Sequence, residues 1–74
     1  MSKILAEQLL SGITLGDDEN KEYIYLPGGE LGSENPYCIF EKNGERLRDL
    51  PLEDAVTLAK RLHLIPIKAP KFSK

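Results

Sequence analysis

In the stretch 37-YCIFEKNGERLRDL-50, two runs of alternating residues meet at Asn43-Gly44. Asparagine and glycine both tolerate the positive φ that a two-residue hairpin loop demands at its two central positions. The stretch therefore reads as an antiparallel β-hairpin. Regular pairing from that turn sets Lys42 opposite Glu45, Glu41 opposite Arg46 and Phe40 opposite Leu47. It continues with Ile39 opposite Arg48 and Cys38 opposite Asp49. The two opposite-charge pairs beside the turn each add ~0.2–1 kcal/mol. In this register Cys38, Phe40 and Leu47 share the inward face. Tyr37, Ile39, Glu41, Arg46 and Arg48 share the outward, solvated face.

Upstream, 22-EYIYLP-27 alternates as a strand does, with Tyr23 and Tyr25 on one face and Ile24 and Leu26 on the other. A glycine-rich connection, Gly28 to Gly32, joins this strand to the hairpin. Phosphate-binding loops run from a strand into a helix, with a lysine and a Ser/Thr at fixed places. Here the connection leads to Ser33-Glu34-Asn35-Pro36 and then another strand, and Glu30 and Glu34 repel anions. It reads as a long hairpin connection with glycines at positive φ and Leu31 at its tip.

Helical periodicity flanks the strands. In 2-SKILAEQLLSG-12, Ser2 opens a short helix, Gly12 closes it, and Ile4, Leu5, Ala6, Leu9 and Leu10 form its apolar face. Ile13 and Leu15 then read as a short extended piece. In 51-PLEDAVTLAKRLH-63, Leu52, Ala55, Val56, Ala59 and Leu62 make a continuous stripe with Leu58 at its edge. Acids stand in its first turn, and Lys60, Arg61 and His63 at its end, as the helix dipole favours. The expected fold is a small single-domain α+β structure of order α-β-β-β-α. A three-stranded antiparallel meander carries an N-terminal and a C-terminal helix on one face. The domain is expected to span residues 1–67, and residues 68–74 to form a flexible basic C-terminal tail.

The chain has 74 residues, enough for one domain of marginal stability. Residues 1–35 carry two basic and seven acidic side chains, and residues 36–74 carry eight basic and five acidic. The charge is thus polarised along the chain although the net value is only -2. A single cysteine excludes an intramolecular disulfide and a thiolate metal cluster built from one chain. No leader pattern and no run approaching ~20 apolar residues is present, so a cytoplasmic protein without a membrane association is expected.

The residues argue against most chemistry. His63 is the only histidine and stands where a helix C-terminal cap belongs, with no orienting partner nearby in sequence. Cys38 faces inward and acts as a small apolar group. Asp17, Asp18, Glu19 and Glu22 lack the calcium-loop spacing and read as a solvated acidic patch able to meet a basic partner. No cofactor is expected, and a chain this short leaves little room for a pocket of several hundred cubic ångströms.

What remains is a surface. Tyr23, Tyr25, Tyr37, Ile39, Arg46 and Arg48 align on the sheet face away from the helices, with Leu31 exposed nearby. Tyrosine and arginine are the residue types that anchor protein interfaces. The expected function is a small non-enzymatic protein-interaction domain, an inhibitor or regulator that occupies a partner's surface. Phage-encoded inhibitors of host defence, such as anti-CRISPR proteins, and antitoxins share this size and lack of chemistry; the analogy rests on size alone. A homodimer through an edge strand is a second route to contact. The alternative is a nucleic-acid-binding module using the outer hairpin face and the basic tail. The sequence pI of about 5.3 weighs against it.

Overall fold

A computed structural model describes residues 2–27 and 32–68. The elements run α1 (Ser2–Leu10), β1 (Thr14–Asp17), β2 (Glu22–Tyr25), β3 (Tyr37–Lys42), β4 (Glu45–Pro51), α2 (Leu52–Leu62) and β5 (Ile65–Lys68). The strands form one antiparallel sheet in the order β4-β3-β2-β1-β5. The architecture is thus α+β with two helices, but the sheet has five strands where three were expected. Residues Thr14–Asp17 and Ile65–Lys68 are the additions. Each is four residues long, and Gly16 and Pro66 lower their strand propensity. Pairing within the sheet makes them strands. Lys68, expected to open the tail, ends β5; residues 69–74 lie outside the described residues.

The Asn43-Gly44 turn forms as the residues demand, with φ of 58° and 81°. Lys42 lies opposite Glu45 and Glu41 opposite Arg46 as expected, but Lys42 forms its ion pair with Glu22 and Arg46 with Asp49. Beyond them the register departs from the expected one. A β-bulge shifts the pairing, so Phe40 lies opposite Arg48, Ile39 opposite Asp49 and Cys38 opposite Leu50. Leu47 is the extra residue and is 49% exposed, whereas Leu50 is buried. The reason is the core. Regular pairing would set Asp49 beside Cys38 on the inward face, and a one-residue slip exchanges that carboxylate for Leu50.

One face of the sheet carries Leu15, Ile24, Cys38, Phe40 and Leu50. They pack with Leu9, Leu26, Ala55, Val56, Ala59 and Leu64 into a single core. The stripe on α2 behaves as its spacing implies, with Ala55, Val56 and Ala59 buried. On α1 only part of the expected face is used: Leu9 is buried, while Ile4 and Leu10 stand exposed. α1 lies beside α2 and against β1.

Both helices end alike. The Ile13 N–H donates to the Gln8 carbonyl at 3.0 Å and the Leu64 N–H to the Ala59 carbonyl at 2.9 Å. These six-residue closures each turn on a left-handed residue, Gly12 at φ 91° and His63 at φ 60°. His63 thus caps α2 through its backbone, and Leu64 after it drops into the core.

Candidate functional site: the helix-free face of the sheet

The pairings place one row across all five strands on the face opposite the helices. It runs Ile65, Gly16, Tyr23, Glu41, Arg46. At ~4.8 Å per strand this row spans ~19 Å. Tyr25, Ile39 and Asp49 form the next row, and Tyr37 and Pro51 the one beyond.

Tyr23 sits over β1 because Gly16 opposite it has no side chain. A Cβ built on Gly16 would stand 2.8 Å from Tyr23 Cε1, closer still to Cδ1, and 3.0 Å from Ile67 Cδ1. The Tyr23 hydroxyl donates to Asp18 at 2.7 Å, and this acceptor raises its pKa. Tyr25 donates its hydroxyl to Glu41. Burial first, and then that carboxylate, push Tyr25 up to about 12. Arg46 grips Asp49 with both Nε (3.1 Å) and Nη2 (2.8 Å to Oδ1, 2.9 Å to Oδ2). This fork holds the guanidinium in one orientation and raises its pKa further.

The expected contact set is therefore divided. Tyr23, Tyr25, Tyr37, Ile39 and Arg46 do share the outer face. Arg48 does not: the bulge turns it to the helix side, where it borders Asp54, Leu58 and Arg61. Tyr25 and Ile39 were expected to be exposed and are 6% and 8% accessible, so they support the face from within. Tyr23 and Tyr37 are half-buried and Arg46 is exposed. Leu31 lies outside the described residues. Ile65, apolar enough to be expected back on the core with Leu64 and Ile67, is instead a surface residue. It is 62% exposed and stands across Gly16 from Tyr23. Its signal was the alternation of Ile65 and Ile67, masked by Pro66 between them.

The acidic residues mostly serve the turns. Asp17 accepts the Glu19 N–H (3.0 Å) and the Asn20 amide (2.7 Å), shaping the β1–β2 connection. Asp18 holds Tyr23, and Glu22 pairs with Lys42 at 3.2 Å. Among the described residues no group of three His, Cys, Asp or Glu is placed to hold a metal ion. Cys38 is fully buried and burial pushes its thiol up to about 12, far from a thiolate at neutral pH.

The two sheet edges differ from open templates. β4 is bulged and charged, and β5 is short and interrupted by Pro66, which lacks an N–H donor. One cavity is larger than the chain length led us to expect: an open groove of about 540 Å³ where β3 begins and β4 runs into α2. Among the described residues no helix is long and apolar enough to cross a membrane. No protein-family model, no curated protein and no solved structure matches this chain.

Proposed function

We propose that this chain is a non-enzymatic protein-interaction domain of the cytoplasm, an inhibitor or regulator that works by covering part of another protein through the helix-free face of its sheet. The observation that carries this reading is the row Ile65, Gly16, Tyr23, Glu41, Arg46. It combines an exposed aliphatic, a tyrosine and an arginine on a β-sheet. The tyrosine hydroxyl and the guanidinium are already held by Asp18 and Asp49. Side chains held before contact lose less rotamer freedom on binding, at ~0.5–1.5 kcal/mol each. Tyrosine and arginine are also the common anchors of protein interfaces.

The nucleic-acid alternative loses support from the same geometry. Arg46 is matched by Asp49, Arg48 faces the other way, and Glu41 and Asp18 lie among the tyrosines. An inhibitor of host defence or an antitoxin remains the kind of small protein that this mode of action suits.

The test is affinity capture with tagged protein from its native host, with and without nuclease, alongside the variants Tyr23→Ala and Arg46→Glu. A stoichiometric protein partner that survives nuclease and is lost from both variants supports the proposal. Recovery that disappears with nuclease, and falls steeply with salt, transfers the function to nucleic acid.

A further inference from the structure

Tyr37 and Pro51 are paired at the end of the sheet, and α2 begins at the very next residue, Leu52. The segment Glu34–Pro36 runs into β3 beside them. These pieces enclose the groove of about 540 Å³, a size that takes a few side chains. Pro36, Tyr37 and Pro51 are apolar parts of its lining. Glu34, Asp49 and Glu53 are its charged groups, and among the described residues no basic one lines it. Arg46 neutralises Asp49. Glu34 and Glu53 have no ion-pair partner among the described residues. The first turn of α2, which also lines the groove, has no side-chain cap on its N–H groups.

We infer that this groove receives an extended, Lys- or Arg-bearing segment of the partner protein. The inference rests on the protein-interaction reading above and names the chemistry of the partner. The carboxylates complement its cation, the apolar lining takes its aliphatic stem or a neighbouring apolar residue, and the N–H groups of the first turn, which have no side-chain cap, donate to a backbone carbonyl of the segment. Tyr37 and Asp49 belong both to the groove and to the helix-free face, so one partner reaches both without a break.

The probe is a pool of capped hexapeptides containing Lys and Arg among Leu, Pro and Tyr, titrated into the full ¹⁵N-labelled chain. Matched pools carry Glu or Gln in place of the basic residues. Expected are saturable shifts at the amides of Asn35, Tyr37, Leu50 and Glu53 with the basic pool alone. The double variant Glu34→Gln/Glu53→Gln weakens binding by about fivefold or more, the size of a modest charge interaction. Glu7→Gln/Glu45→Gln, the same charge change elsewhere on the surface, leaves it unaltered. Equal response to the Glu or Gln pool, shifts centred on residues 17–22, or equal weakening by the control variant overturns the inference. A captured partner lost from Tyr23→Ala but kept by Glu34→Gln/Glu53→Gln overturns it too, while leaving the broader function standing. Absence of any partner sinks the broader function, and the peptide titration still decides the groove.

Discussion

Tyr23 occupies the space that a side chain on Gly16 would fill: its Cε1 lies 2.8 Å from where a Cβ would be. The two residues are direct cross-strand partners. Changing Gly16 to Ala forces the ring, and the Asp18 hydrogen bond with it, out of place. Overpacking of this kind costs about 1–3 kcal/mol. In a Tyr23→Ala background the same change costs less, because the nearer obstacle has gone and only the end of the Ile67 side chain, 3.0 Å away, must give. Urea unfolding of the four proteins measures the coupling, and additive effects would show that the ring does not depend on the glycine.

The bulge in β4 makes a sharp contrast between two leucines three residues apart. Leu50→Ala loses a buried side chain of the core and is expected to cost about 2–4 kcal/mol. Leu47→Ala alters the half-exposed bulge residue and stays within about 0.5 kcal/mol. Chemical denaturation of the two variants reads the register directly, since regular pairing from the turn predicts the reverse order.

His63 sits at φ 60° and ψ 38°, a conformation that costs an L-residue roughly 1 kcal/mol and glycine almost nothing. His63→Gly is expected to raise stability by about 0.5–1 kcal/mol, and His63→Ala is not. A thermal melt in which both variants shift equally would remove backbone strain as the cause.

Thr14 is buried, and its Oγ1 has no hydrogen-bond partner among the described residues. Replacing the hydroxyl by a methyl group in Thr14→Val keeps the shape and ends the desolvation penalty of ~1–3 kcal/mol. A gain of about 1 kcal/mol is expected. A clear loss in equilibrium unfolding would mean that the hydroxyl is satisfied in solution.

Tyr25 is raised to about 12 from an ordinary 10.0, so the folded state holds its proton more tightly than the unfolded chain does. Its contribution is intact below about pH 10 and is lost as pH rises through 12. Cys38, raised from 9.0 to about 12, acts in the same direction from a lower starting point. Stability should therefore fall through the alkaline range, and less steeply in Tyr25→Phe. An unchanged slope in that variant would exclude Tyr25 as a source.

The sequence by itself determined the elements whose patterns are long and local. The Asn43-Gly44 turn needs only two residues that accept positive φ, and the α2 stripe needs only helical spacing. The opposite facing of Tyr23 and Tyr25 against Ile24 and Leu26 needs only alternation. Tertiary structure alone decided the rest. Residues Thr14–Asp17 and Ile65–Lys68 are too short to declare themselves, and they become strands because pairing satisfies their backbone groups. The bulge at Leu47 settles a conflict between turn-directed register and the core's preference for Leu50 over Asp49. Through that one inserted residue, the core separates Arg46 from Arg48 and leaves Ile65, Tyr23 and Arg46 to define the face. Local propensity acts within a few residues of chain. The identity of a surface depends on which distant side chains the core has already claimed.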